Sequence, residues 1–268
     1  MMVEVLKFLL LGFLQGITEP LPISSSGHLV ILQAVLNLPT VDYFLEIILH
    51  FASLLAILVL FRKKISDLII GNYRYLIKKD IAYKDTFHYV LLIIIGVIPA
   101  GIMGLLFKEF FEQFLNLLAV GISLIVTGFF LMRVQKPSTE NTQTELKPLD
   151  ALTIGAVQIA ALLPGISRSG STYIGGLMRK IKFDTVVEFS FMLYIPISIG
   201  AMVFEAFQVD TVSNYAPIPL AVSFIVSGIT TYFAFKWFVN AVKQGNLKYF
   251  AYYCFFVGVV VSTAWFIL

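Results

Sequence analysis

Six stretches of the chain, 45–61, 89–107, 117–132, 185–204, 220–239 and 251–268, are almost wholly apolar. A helix needs about 20 mostly apolar residues to cross the hydrocarbon core of a bilayer, and each run approaches or meets that length. Charged residues make up only 13% of the chain, against roughly 25% in a soluble domain, too few to cover a water-facing surface. The chain is expected to be an all-α polytopic membrane protein. Its single cysteine, Cys254, lies in the last run, which excludes an intrachain disulfide and a thiolate metal site. The first residues, 1–13, imitate a signal peptide but lack a basic start and a small-residue cleavage site; they are expected to belong to the mature chain.

Two further apolar segments are broken in the middle. One runs 6–18, is interrupted by Glu19-Pro20-Leu21-Pro22-Ile23-Ser24-Ser25-Ser26-Gly27-His28, and resumes over 29–38. The other runs 151–163, is interrupted by Pro164-Gly165-Ile166-Ser167-Arg168-Ser169-Gly170-Ser171-Thr172, and resumes over 173–178. Short apolar arms suit re-entrant hairpins better than full crossings. Irregular backbone at membrane depth survives only against protein or a wet cavity. Gln15 and 21–27 can be laid over Gln158 and 163–170 with one inserted residue, and each segment precedes three long runs. This predicts two repeats, 1–135 with a hairpin at 6–38 and 151–268 with a hairpin at 151–183, joined by a cytoplasmic linker at 136–150.

Charge placement bears on the topology. With six crossings and two hairpins, sixteen of the 19 Lys and Arg fall on one side, among them Arg62–Lys64, Lys78, Lys79, Arg133, Lys136, Arg179–Lys182 and Lys243. Only Lys7 and Lys108 fall on the other, beside Glu4, Asp42, Glu109, Glu112, Glu205 and Asp210. Cytoplasmic loops are rich in Lys and Arg, so both termini are expected outside. Three crossings per half invert the second repeat, and the two hairpin tips should meet inside the bilayer, as in inverted-repeat transporters. The full expectation is six transmembrane helices plus two re-entrant helical hairpins in inverted-topology repeats. In the loop 62–88, Ile65, Leu68, Ile69, Leu76 and Ile77 fall at helical spacing among basic residues, the pattern of an interfacial helix.

The tips carry the chemistry. Arg168 between apolar arms is costly in a membrane and so marks function; ion pairing with Glu188, Glu46 or Glu19 is the structural alternative. Ser167, Ser169, Ser171 and Thr172 surround it with hydroxyls, and a Gly/Ser turn opening a helix presents free N–H groups to anions. Arginine adds bidentate reach to phosphate. The first tip offers the complementary groups. Gln15 and Glu19 share a helix face, and three serines, Gly27 and His28 follow: a carboxylate, hydroxyls and an imidazole, the parts for displacement at phosphorus. For His28 a hydrogen-bonded structural role is the alternative. His50 and His88 lack such company and read as packed or interfacial.

Gln15-Gly16-Ile17-Thr18-Glu19 with Leu21-Pro22-Ile23-Ser24-Ser25-Ser26-Gly27-His28 resembles the first signature of the undecaprenyl-diphosphate phosphatases of the UppP (BacA) type. Residues 164–172 resemble the second, and the likeness covers essentially the whole chain. It implies hydrolysis of undecaprenyl diphosphate to the monophosphate carrier of cell-wall synthesis, in the plasma membrane, with a site open to the outside. It implies Glu19, Ser25, His28 and Arg168 as the central residues. Gln15, Ser24, Ser26, Gly165, Ser167, Ser169 and Thr172 would lie around the phosphates. It also implies a divalent cation, Mg²⁺ or Ca²⁺, with Glu19 as its ligand. Gln15 stands where the family commonly has an acid, which shifts the acidic burden to Glu19. Serine and water both remain open as the nucleophile. A polyprenyl-phosphate transporter or flippase is the rival reading; a type-2 phosphatidic acid phosphatase is discarded, because no histidine follows Arg168. The expected partners are the polyprenyl diphosphate and the bilayer, with no nucleic acid. A homodimer is compatible with six spans, though no residue pattern specifies one.

Overall fold

The computed structural model describes residues 2–38, 43–133, 143–207, 215–243 and 247–267, and it is helical almost throughout. The expected linker at 136–150 is therefore seen only from residue 143, and Asp42, Lys136 and Asp210 lie outside the described residues. Helices α1 (Met2–Thr18) and α2 (Ser25–Val35) form the first hairpin. Then come α3 (Tyr43–Leu60), α4 (Arg62–Lys78), α5 (Lys84–Leu106), the short α6 (Lys108–Glu112) and α7 (Leu117–Arg133). The second hairpin is α8 (Pro148–Gln158) and α9 (Arg168–Met178), followed by α10 (Phe183–Ala206), α11 (Pro217–Lys243) and α12 (Leu247–Ile267).

Among the described residues four helices are long and apolar enough to cross a membrane: Ile81–Leu106, Phe183–Ala206, Pro217–Ala241 and Leu247–Ile267. A fifth is added if α3 and α4, which meet at 74°, count as one bent span. The expected six crossings are thus reached only with α3 and with α7, a helix of 17 residues. Helix α4 turns away from the bundle and leaves Ile69, Leu76 and Ile77 exposed, in line with its amphipathic sequence.

The hairpins are built into the bundle. α1 packs along α11 and α8 along α5, while α7 pairs with α12 and α3 with both α11 and α10. At the α3–α11 seam Ser53 hydrogen-bonds to Ser227 and accepts from Thr231, the small polar contacts through which helices pack in lipid. The tips meet at Gly27 and Gly165, where a Cβ on Gly27 would lie 2.8 Å from the Gly165 Cα. Gly165 also has φ +93°, a left-handed value that favours glycine.

One end of the bundle gathers basic residues and their acids. Lys64 bridges Glu188 at 2.7 Å, and Arg179 bridges the buried Asp150 at 2.7 Å.

Candidate active site

Both tips are shaped by local sequence. Pro20 and Pro22 stop α1, and Ser24, with φ 69°, caps α2 by accepting from the Gly27 N–H at 3.3 Å. Ser167 caps α9 in the same way, accepting from the Gly170 N–H at 3.1 Å. Each cap satisfies one of the open N–H groups of a helix start. Ser25 and Arg168 are therefore the first residues of their helices and project from the tips.

They converge on Glu19. One carboxylate oxygen, Oε1, accepts from the Arg168 guanidinium at 2.9 Å. The other accepts from the Ser25 hydroxyl at 2.5 Å and from the Gln15 amide at 2.9 Å. The ion pair entertained as an alternative for Arg168 does form, with Glu19, and it lies in a cavity. The guanidinium also stacks on the Tyr194 ring at 3.9 Å, a cation–π contact that fixes its plane. Glu19 is 4% exposed at its side chain and Arg168 21%, so the carboxylate is nearly dry while the guanidinium still faces open space.

The cavity has a volume of about 240 Å³, and Ser24, Ser26, Ser167 and Ser169 join the three central residues in its wall. Beside it lies an apolar groove of about 420 Å³ between α5 and α10, lined by Gly101, Gly104, Pro196, Gly200 and Phe204. The two share Ser26, Ala100, Leu162, Ile197 and Glu205 in their walls.

Three expected site residues are placed elsewhere. The His28 Nδ1–H donates to the Ser24 carbonyl at 2.7 Å, and its Nε2 accepts from the Tyr253 hydroxyl at 2.8 Å. Both ring nitrogens are engaged away from the cavity, so this geometry gives His28 a role in holding the serine loop. The Thr172 hydroxyl is buried against Ser190 at 2.6 Å and donates back to carbonyls of its own helix. Gly165 shapes the tip; its carbonyl accepts from Thr127 at 2.9 Å.

Several residues not singled out as site residues face the cavity, Tyr194, Ser198 and Glu205 among them, and two bear directly on its tips. His50 places Nε2 3.7 Å from Glu19 Oε2. Its Nδ1 lies 2.9 Å from the Glu46 carbonyl, which can only accept, so Nδ1 carries a proton and Nε2 is the atom that can gain or lose one. Gln158, noted in the sequence only as the counterpart of Gln15, is the second.

Among the described residues no group of three or more His, Cys, Asp and Glu is arranged to hold a metal ion. Both oxygens of Glu19 already accept, and Glu205 is the other carboxylate in the cavity wall.

A sequence-family model described as "Bacitracin resistance protein BacA" matches residues 8–260. The chain belongs to this family. It is 39% identical over 259 residues to the "Undecaprenyl-diphosphatase 1" of Bacillus cereus, covering 96% of each chain. It is 38% identical over 262 residues to the "Undecaprenyl-diphosphatase" of Oceanobacillus iheyensis, covering 96% of this chain and 95% of that one. A relative in Halalkalibacterium halodurans, "Undecaprenyl-diphosphatase 1", is 37% identical over 259 residues. In this BacA-family chain Glu19, Ser25 and Arg168 are the groups that the two tips bring into contact.

Proposed function

We propose that this protein hydrolyses undecaprenyl diphosphate to undecaprenyl phosphate and inorganic phosphate, recycling the lipid carrier of cell-wall synthesis. The observation that carries the reading is the junction of Ser25, Glu19 and Arg168 at the meeting point of a polar cavity and an apolar groove. A ligand with a charged head and an apolar tail would suit both. The near full-length relatives named as undecaprenyl-diphosphatases fit that ligand.

In this reading the terminal phosphate lies against Arg168, whose planar fork keeps further N–H groups free to grip phosphoryl oxygens. Ser167 and Ser169 add hydroxyl contacts. Glu19 Oε2 takes the proton of Ser25 as Ser25 Oγ attacks the terminal phosphorus. The bond between that phosphorus and the bridging oxygen breaks, and the prenyl monophosphate leaves. Glu19 passes that proton to the departing monophosphate; water then attacks the phosphoserine phosphorus as Glu19 takes its proton, and the bond to Ser25 Oγ breaks as Ser25 regains a proton. Phosphoryl transfer depends mostly on positioning and charge stabilisation, which suits a site built from an oriented arginine and capped helix starts. His28 supports the serine loop through the Ser24 carbonyl.

A divalent cation would neutralise phosphate charge in such a site. Mg²⁺ usually keeps several waters and binds one or two carboxylates plus substrate phosphates. Glu19 fits that minimal demand and would hold such a cation together with oxygens of the diphosphate.

For the membrane arrangement we propose six crossings (α3, α5, α7, α10, α11, α12), two re-entrant hairpins, inverted halves and a site open to the outer face. The reciprocal packing of α1 on α11 and α8 on α5 supports the inversion. The basic residues gathered around Lys64, Arg179 and Lys180 support a cytoplasmic assignment of that end.

The test is phosphate release from farnesyl diphosphate and its C55 homologue by purified protein in detergent, alongside Ser25→Ala and Arg168→Ala variants. Release lost in both variants, with a trapped phosphoserine in the wild type, would establish the serine route. Lipid movement between leaflets without phosphate release would instead favour a transporter.

A further inference from the structure

Gln158 is the last residue of α8, just ahead of the turn that leads to the second tip. It is 2% exposed, yet neither atom of its amide has a hydrogen-bond partner among the described residues. Buried polar groups are nearly always paired, and each exception in a native structure asks for an explanation. Here the explanation lies in position, because Gln158 forms part of the cavity wall together with Ser25, Ser167, Arg168 and Ser169. Lack of a partner alone would not mark a site: Gln33 is equally buried and unpaired, and it lines neither the polar cavity nor the apolar groove.

Gln15 is the counterpart of Gln158 in the first hairpin. The two glutamines hold matching places in the two hairpins, but Gln15 donates to Glu19 at 2.9 Å and so steadies the carboxylate. Gln158 has no carboxylate after it in the second tip, where Arg168 stands in the turn. Its amide is left unpaired in the cavity wall. We infer that Gln158 is a further substrate-binding residue, whose carboxamide N–H donates to an oxygen of the terminal phosphoryl group of the diphosphate gripped by Arg168. A neutral donor adds a directional contact without adding charge, and the amide carbonyl beside it accepts from a hydroxyl of the same ligand shell. The inference rests on the phosphatase reading for its substrate.

The experiment uses the full-length protein in detergent with farnesyl diphosphate as the probe. Wild type, Gln158→Leu and Gln158→Glu are compared for KM, kcat, melting temperature and the dissociation constant from ligand-induced thermal stabilisation. Leucine keeps the volume and removes both polar atoms. It should weaken binding and raise KM by about tenfold, the effect of one hydrogen bond to a charged group, with kcat within about threefold. Its melting temperature should hold or rise, because an unpaired buried amide has gone. Glutamate places a like charge against phosphate and should weaken binding beyond leucine, by about a hundredfold. Unchanged affinity in Gln158→Leu would mean that the amide holds water only, and would overturn the assignment. So would a fall in melting temperature with unaltered affinity, the mark of a structural role. Should the wild type bind the probe without releasing phosphate, the phosphatase reading fails, and the dissociation constants still decide Gln158.

Discussion

Replacing Glu19 by glutamine keeps the shape of the side chain and removes its charge, which makes it the sharpest probe of the centre. At an effective dielectric of about 20, unit charges at the 2.9 Å separation of Arg168 and Glu19 attract by roughly 6 kcal/mol before desolvation is counted. Breaking a buried pair by removing one partner costs about 3–5 kcal/mol, because the other charge is left uncompensated. Arg168 is 21% exposed, so the loss should sit near the lower end, about 3 kcal/mol. Catalysis should suffer separately. An amide oxygen cannot take the Ser25 proton, and a positioned base contributes about 10²–10⁴-fold. Glu19→Gln should therefore lower kcat by at least about a hundredfold, measured as phosphate release from farnesyl diphosphate. Thermal unfolding of Glu19→Gln, Arg168→Gln and the double variant should show a coupling of about 1–3 kcal/mol, the double variant being less damaged than the sum. A kcat within about tenfold of wild type, or additive unfolding losses, would refute the assignment of Glu19 as base and as partner of Arg168.

Three further outcomes follow from the geometry. Gly27→Ala puts a Cβ 2.8 Å from the Gly165 Cα, so the tips must part; stability should fall by about 1–3 kcal/mol and kcat with it, and an unaltered kcat would show that this contact does not set Ser25 against Arg168. Asp150 lies at the foot of the second hairpin, outside the apolar runs; burial raises its pKa, but hydrogen bonds from Arg179, the Lys147 N–H and Gln143 prevail and hold it below the usual carboxylate range. That lowered pKa contributes stability above the unfolded value of about 4, lost as pH falls through the folded pKa; Asp150→Asn should melt lower at pH 7 and lose this acid dependence, and an equal deficit at every pH would contradict the linkage. Gly200 lines the apolar groove, and a Cβ there meets nothing within 4 Å. Gly200→Leu should displace two or three methylenes of a prenyl tail at about 0.8 kcal/mol each, raising KM for farnesyl diphosphate about 30-fold while sparing a C5 diphosphate; an equal effect on both would remove the groove from the tail's path.

What the sequence discloses and what it hides divide along one physical line. The tips were legible because helix stops and starts are local: prolines end α1, Ser24 and Ser167 cap the next helices, and Ser25 and Arg168 open them as their neighbours dictate. The partner of Arg168 was legible only as a choice among three acids, since Glu19 lies 149 residues away. The span count was less legible, because the bend of 74° after α3 and the short α7 interrupt what hydropathy reads as equal runs.

The side chains that line the cavity from continuous helices were not legible at all. Successive residues of a helix are rotated by about 100°, so a shift of one position turns a cavity-facing group into packing. Thr172 illustrates the loss: one turn beyond Arg168, it has already rotated under α10 to meet Ser190. His28 and His50 illustrate the exchange. His28 has the telling neighbours, yet its ring turns to Tyr253, 225 residues away on α12; His50 sits in a featureless apolar run, yet α3 presents it to Glu19. Local chemistry tells where a chain of this kind breaks to make a site, and helix rotation, fixed by packing between elements far apart in sequence such as α3 on α10 and α11, decides which groups of the unbroken helices complete it.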